Sequence, residues 1–153
     1  FDAIVVKKIA PTYTPDALER VELLKWCKHR GVRVFSDPDS MYPLIDRLSG
    51  TLRLRAAGVP MPATLITEDP TLAYEFVRKH GKVIAKPLFT SKARGMTPLR
   101  AGDGLEEAVA RFQSAGNQVM YLQEMLEIPG RDLGVSFVGG RYLATYARVK
   151  SGE

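Results

Sequence analysis

The stretch VIAKPLFTSKARGM, residues 83–96, decides the fold of this chain and marks where a ligand would bind. Its apolar, β-branched beginning predicts a buried strand that ends at Lys86. A buried strand normally excludes an ammonium group, because removing an unpaired charge from water is costly. A lysine at a strand end, followed by a loop of hydroxyls and backbone donors, is well placed to hold an anion, and phosphate is the obvious candidate.

Length and composition indicate a soluble globular protein. The chain has 153 residues, of which 45% are hydrophobic and 25% charged, and it is long enough for one ordinary domain with its own core. No apolar run approaches the roughly 20 residues that cross a bilayer, so we expect no membrane partner. The single cysteine, Cys27, cannot form an internal disulfide and fits a reducing compartment, which predicts a cytoplasmic protein.

The charge balance is basic, with a formal net charge of +5 and an isoelectric point of about 9.4. Basic proteins attract nucleic acids and small anions alike. The lysines and arginines are scattered, and no aromatic-rich strand motif or recognition helix accompanies them. A solvated surface is therefore favoured over a nucleic-acid-binding domain, which is the weakest of three functional alternatives.

The first part of the chain has a βαβ pattern, which predicts a parallel strand pair. A strand over 3–7 is followed by a helix that opens at Pro15 and ends at Gly31, and by a strand over 32–35. Residues 36–40 are rich in turn formers, and a single helix is expected from Tyr42 to Ala57. Its apolar face would consist of Leu44, Ile45, Leu48, Leu52 and Ala56. The prolines of 59–62 then predict a linker.

The second part alternates strands and helices. Strands are expected over 63–67, 82–87 and 119–122, with helices from Asp69 to His80 and from Asp103 to Ala115, and a loop that reaches Pro98. Leu72, Phe76 and Val77 would face inward, and Trp26 and Phe112 would also be core residues. Gly139-Gly140 predicts a hairpin between strands 132–138 and 142–149. The chain lacks an initial Met and stops just after this strand, so we expect a partial chain.

Four segments in this order resemble the ATP-grasp superfamily, and within it the RimK-like carboxylate–amine ligases. They are Asp46-Arg47 at a helix start, Lys86-Pro87 before the small-residue loop, LQEML at 122–126, and GRDLGV at 130–135. The resemblance implies an α/β (α+β) fold, a partial ATP-grasp domain preceded by part of a βαβ domain. Residues 1–45 would end that preceding domain and 46–62 would connect the two. Residues 63–124 would form the N-terminal ATP-grasp subdomain, and 125–153 the truncated start of the C-terminal one.

The resemblance also implies a set of nucleotide-binding residues, all of which lie within or near these segments. Lys86 would contact the α- and β-phosphates, and Arg47 stands where the family usually has a lysine of similar task. The remaining positions are the phosphate-covering loop residues Thr90, Ser91 and Gly95, the adenine hinge residues Gln123, Glu124 and Leu126, and the ribose-binding acid Asp132. Arg148 would be catalytic, near the transferred phosphate and the carboxylate substrate. Taken alone, Arg47 and Arg148 fit an ordinary surface charge equally well.

The implied chemistry explains why cations dominate this set. A carboxylate is a poor acyl donor, and phosphorylation by ATP turns it into an acyl phosphate that an amine can attack. The protein has to align anions, so it needs cations and backbone donors rather than a nucleophile. The implied partners are ATP with Mg²⁺ and an amino acid or peptide on either side. No metal ligand is assigned within the chain, because the family's Mg²⁺ ligands would follow Glu153.

Three positions depart from the family pattern. Thr90 and Ala93 stand where relatives often have glycine, which predicts a stiffer loop with less access to positive φ. Gly134 replaces an arginine that is common after the ribose acid. These departures keep a second alternative open, a non-catalytic or regulatory ATP-binding module. The sequence also leaves a homo-oligomer open.

Overall fold

A computed structural model describes residues 1–10, 13–90 and 93–149, and these ranges contain three sheets. The first sheet pairs strand β1 (Ala3–Val5) with strand β2 (Arg33–Phe35) in parallel, and helix α1 (Pro15–His29) connects them. Pro15 occupies the first turn, where its missing N–H has no intrahelical partner to lose. The predicted βαβ unit and its parallel pair are confirmed.

The next region differs from its prediction, because a helix occupies part of the expected turn and the expected single helix is two. Helix α2 spans Pro38–Ile45 and helix α3 spans Arg47–Ala56. Asp46 lies between them and caps both helices. The Asp46 carboxylate accepts hydrogen bonds from the backbone N–H groups of Leu48 and Ser49, at 3.0 and 3.2 Å. This N-cap satisfies donors that a continuous helix would have bonded to preceding carbonyls.

The new helix start also shifts which residues are buried. Leu44 is 78% exposed, Leu52 is 57% exposed and Ala56 is also exposed, so the predicted apolar face is wrong at these three positions. The buried residues of the N-terminal core are instead Val21, Met41 and Ile45. Trp26, predicted to be core, is 62% exposed on α1. Helical periodicity cannot be carried across a break, since the face restarts with the new helix axis.

The second sheet, called the central sheet here, has four antiparallel strands in the order β3-β6-β4-β5. Its strands are β3 (Thr64–Thr67), β4 (Lys82–Lys86), β5 (Thr97–Arg100) and β6 (Met120–Glu124). Strand β5 includes Pro98, to which the loop was expected to reach, although proline cannot donate a backbone hydrogen bond. It lies at the sheet edge, where a missing N–H costs little.

Helices α4 (Pro70–His80) and α5 (Leu105–Ser114) supply the apolar residues that pack with one face of the central sheet. The Asp69 carboxylate caps α4 by accepting from Thr71 N–H at 2.7 Å, and Gly81 ends it with φ +72°. The fully or nearly fully buried core residues include Val77, Val83, Ala85, Leu99, Val109, Phe112, Met120 and Leu122. On α4 the inward residues are Ala73 and Val77, whereas Leu72 is 45% exposed.

The third sheet is the predicted hairpin of β7 (Arg131–Val138) and β8 (Arg141–Val149). Gly139 and Gly140 have φ of +57° and +77°, which is the geometry that a tight two-residue hairpin turn requires. Most residues of both strands are exposed. None of the helices in the described ranges combines the length and the hydropathy that a bilayer crossing requires.

Candidate functional site

The two faces of the central sheet have different roles because side chains alternate along a strand. Val83 and Ala85 point toward the helices, and Ile84 and Lys86 therefore point to the opposite face. The antiparallel register places Tyr121 beside Lys86 and Gln123 beside Ile84, and Thr64 pairs with Gln123 on the other side. We call this polar surface the site face.

Lys86 lies half-buried at the end of β4 on the site face. Its Nζ donates a hydrogen bond to Gln123 Oε1 at 2.5 Å. Burial lowers the pKa of Lys86, and the neighbouring positive charge of Arg47 lowers it further. The predicted strand that ends at Lys86 is confirmed.

Arg47 comes to the same place from the first turn of α3. Its Nε donates to the Pro87 carbonyl at 3.0 Å and its Nη2 to the Thr90 carbonyl at 3.3 Å. The guanidinium lies 5.9 Å from the centre of the Tyr121 ring, within range of a cation–π interaction. Burial lowers the pKa of Arg47. The helix start is thus fixed to the loop that follows β4.

Neither cation has a carboxylate partner among the described residues, where the ion pairs involve other side chains. Two neighbouring positive charges in a partly desolvated place repel each other, and a bound anion would relieve that repulsion. The ammonium of Lys86 has three hydrogens and the guanidinium of Arg47 has five. The hydrogen bonds described above use one and two of them, so several donors remain for an anion.

Gln123 is buried at 8% exposure and joins three elements of the site face. Its Nε2 donates to Thr64 Oγ1 at 3.0 Å and, more weakly, to the Tyr121 hydroxyl at 3.4 Å. The Tyr121 hydroxyl in turn lies 2.9 Å from Thr51 Oγ1, and Thr51 donates to the Arg47 carbonyl at 2.8 Å. Sequence reasoning did not single out Thr51, Thr64 or Tyr121. A tyrosine between the apolar Met120 and Leu122 on a predicted strand was the available signal.

The loop after β4 turns back toward Pro87. Gly95 has φ +67°, and a Cβ there would lie 3.1 Å from the Pro87 ring, so a side chain would be strained and crowded. Thr90 Oγ1 donates to the Pro87 carbonyl at 3.4 Å. Ala93 has φ +59°, so it adopts the left-handed backbone that a glycine favours, although its side chain was expected to reduce access to positive φ. Ser91 lies outside the described residues.

The predicted adenine hinge is only partly open to a ligand. The backbone N–H of Glu124 donates to the Ala63 carbonyl at 2.9 Å, and that of Met125 donates to the Lys82 carbonyl at 3.0 Å. The Glu124 carboxylate lies 3.8 Å from His80 Nδ1. Leu126 is 54% exposed. The Gln123 side chain is fully engaged, so the hinge role remains a prediction that depends on Leu126 and on backbone carbonyl groups.

Asp132 and Arg148 are brought together with each other, as directly opposed residues of the hairpin. Arg148 Nε and Nη2 donate to the two Asp132 oxygens at 2.7 and 2.9 Å. This bond raises the pKa of Arg148. Gly134 lies beneath the Tyr146 ring, which occupies the space that a Cβ would take. An arginine at this position would therefore have to displace Tyr146.

Within the described ranges no group of three or more His, Cys, Asp or Glu side chains is close enough to hold a metal ion. The anion-binding potential of the site face comes from the Lys86 and Arg47 hydrogens that the hydrogen bonds described above do not use. This is the donor set expected for phosphate oxygens.

Comparison with solved structures identifies the fold as ATP-grasp. D-alanyl-alanine synthetase A from Vibrio cholerae superposes with a TM-score of 0.74 over 99% of this chain and 47% of that chain, at 13% identity. A RimK-domain ATP-grasp protein from Sphaerobacter thermophilus superposes with a TM-score of 0.65 over 85% of this chain and 48% of that chain, at 19% identity. The predicted α/β ATP-grasp fold and the resemblance to RimK-like proteins are confirmed.

Two further proteins are similar in sequence as well. The ATP-grasp ligase PsnB is 28% identical, with a TM-score of 0.63 over 88% of this chain and 44% of that chain. A tetrahydromethanopterin:alpha-L-glutamate ligase from Methanosarcina acetivorans is 24% identical over 163 residues, which cover 99% of this chain and 50% of the relative. The chain thus spans about half the length of the curated relatives it matches. No protein-family model matches the chain.

Proposed function

We propose that this chain is the nucleotide-binding part of an ATP-dependent ligase that joins a carboxylate to an amine. One observation carries the proposal: Arg47 and Lys86 lie together, half-buried and without a carboxylate partner among the described residues. Holding two such cations side by side disfavours the folded state unless an anion compensates them. ATP phosphates would provide that compensation, with Lys86 on the α- and β-phosphates.

The other residues that we propose for the site would bind other parts of the same nucleotide. Thr90, Ser91 and Gly95 belong to the loop that would fold over the phosphates, and Leu126 follows β6 where adenine would lie. Asp132 would bind the ribose hydroxyls and Arg148 would stabilise the transferred phosphate and the carboxylate. Because these two residues now pair with each other, nucleotide binding would exchange that pair for ligand contacts.

The reaction we propose has two steps. A carboxylate oxygen of the substrate attacks the γ-phosphorus of ATP, and ADP leaves as an acyl phosphate forms. The amine then attacks the acyl carbon, inorganic phosphate leaves, and the amine loses a proton as the amide forms. Mg²⁺ bound to the phosphates would neutralise charge. The described residues hold no cluster suited to bind it, so we assign it no protein ligand.

The substrates we propose are amino acids or peptides. The relative from Methanosarcina acetivorans is named for adding glutamate, and PsnB structures contain a precursor peptide with Mg²⁺ and ADP. The basic net charge of +5 also suits anionic substrates. An ATP-consuming reaction and a lone cysteine fit a cytoplasmic location.

Calorimetric titration with ATP tests the nucleotide assignment. Lys86→Met should weaken ATP binding by roughly 10- to 100-fold, because a charge-assisted hydrogen bond in a partly desolvated site is lost. Lys79→Met is the matched control, since it removes the same charge from the exposed surface of α4. Equal affinities in the two variants, or no ATP binding by the unsubstituted chain, would refute the assignment.

The ligase reaction itself needs a second assay. In the complete gene product, ADP release should depend on an added amino acid or acidic peptide. ATP binding without any such substrate-dependent release would instead support a regulatory nucleotide-binding module.

A further inference from the structure

We propose that Gln123 is a positioning residue that holds the Lys86 ammonium in its phosphate-facing orientation and ties it to the helix that carries Arg47. The inference rests on the proposed function, because it takes phosphate as the ligand of the two cations. It deepens that proposal by naming the group that keeps the lysine in place.

The hydrogen bonds of Gln123 have only one consistent direction. Lys86 can only donate, so Gln123 Oε1 accepts, and the two amide hydrogens go to Thr64 and Tyr121. The hydroxyl hydrogen of Thr64 is used on the Pro62 carbonyl at 2.9 Å. Thr64 therefore accepts from Gln123, and every hydrogen-bonding atom of the carboxamide has a partner.

The same logic extends the network to α3. Thr51 donates its single hydroxyl hydrogen to the Arg47 carbonyl, so Tyr121 must donate to Thr51. Thr51 and Tyr121 are 5% and 2% exposed. The path Lys86–Gln123–Tyr121–Thr51 thus ends on the residue whose guanidinium faces the same anion. The Lys86 ammonium and the Arg47 backbone are thus joined through one network of hydrogen bonds.

This connection matters because the two cations repel each other. An unrestrained lysine would rotate its ammonium toward water and away from Arg47. Anion binding would then have to immobilise the lysine side chain, and the lost conformational entropy would weaken affinity. A neutral amide holds the ammonium without neutralising it. A glutamate in the same place would hold Lys86 more tightly but would compete with phosphate for it.

Two substitutions of Gln123 separate the positioning of the Lys86 ammonium from the neutralisation of its charge. In Gln123→Met the acceptor is lost, so the pKa of Lys86 should fall further and ATP should bind roughly two- to tenfold more weakly. In Gln123→Glu the carboxylate should raise the pKa of Lys86, while ATP binding weakens by about tenfold or more. Gln118→Glu is the control, because it introduces the same charge at an exposed position before β6.

The measurements are ATP titration and the pH dependence of Lys86 acylation, followed by peptide mass spectrometry. Opposite pKa changes in the two Gln123 variants, each with weakened ATP binding, would support the inference. Weakened ATP binding in both variants, although the pKa of Lys86 moves in opposite directions, separates a loss of lysine positioning from a change in lysine charge. If Lys86→Met weakens ATP binding but both Gln123 variants match Gln118→Glu in affinity and in Lys86 pKa, only the inference fails. If the unsubstituted chain does not bind ATP, the proposed function fails and the inference with it.

Discussion

The buried hydroxyl pair of Tyr121 and Thr51 gives the sharpest test of the site-face network. Tyr121→Phe removes one hydroxyl and leaves the ring in place. Two bonds are lost: a well-formed one to Thr51 at 2.9 Å and a long one from Gln123 at 3.4 Å. A net buried hydrogen bond is worth about 0.5–1.5 kcal/mol, and the unsatisfied Gln123 hydrogen adds less because its bond is long. We expect the free energy of unfolding to fall by about 1–2 kcal/mol.

A matched control lies on the hairpin, where Tyr142 and Thr145 form the same kind of hydroxyl pair at 3.1 Å. Tyr142 is 62% exposed, so water replaces the bond, and Tyr142→Phe should change stability by less than about 0.5 kcal/mol. Urea unfolding followed by circular dichroism measures both variants. Combining Tyr121→Phe with Thr51→Val closes a double-mutant cycle, whose coupling should be about 1 kcal/mol. Additive effects, or equal effects of the two tyrosine substitutions, would refute the network.

The remaining predictions concern the loop, the core and pH. Ala93 and Gly95 both have positive φ, which glycine adopts more easily than alanine. In urea unfolding, Ala93→Gly should therefore stabilise the chain by about 0.5–1 kcal/mol and Gly95→Ala should destabilise it by about 1 kcal/mol or more. Stability changes of the same sign in the two variants would contradict this. Leu122→Ala should cost about 2–5 kcal/mol and Leu44→Ala less than about 1 kcal/mol, because the first is fully buried and the second 78% exposed; comparable losses would show that the core is misplaced. The pKa of Lys86 is lower in the folded state than its ordinary value. Between these two pKa values the native state binds fewer protons than the unfolded state. The contribution of Lys86 to stability therefore rises with pH across this window. ATP affinity should fall over the same window as the ammonium is lost, and a pH titration that matches that of Lys86→Met would argue against the assignment.

Much of the secondary structure could be predicted because its signals are local. Pro15 and the Asp69-Pro70 pair start helices through their own backbone chemistry, and Gly139-Gly140 can make the turn that closes the hairpin. The apolar run of residues 83–85 also predicted the strand that ends at Lys86. The errors arose where a local pattern met a tertiary contact. At the helix restart the Arg47 backbone N–H donates to the distant Leu88 carbonyl at 3.4 Å, and Pro98 lies at the sheet edge because β5 pairs with β4 alone.

The sequence by itself therefore determined most elements and their order, though not the helix break at Asp46 or strand β5. It also determined the ATP-grasp resemblance and the strand-end lysine as the place to look for an anion. Only the tertiary structure placed Arg47 beside Lys86, paired Asp132 with Arg148, and made Gln123 the partner of Lys86 rather than an open hinge residue. The physical reason is that a buried polar group must find a partner, and which partner it finds is set by strand register and helix docking. Those contacts join residues that are distant along the chain, and no short stretch of sequence encodes them.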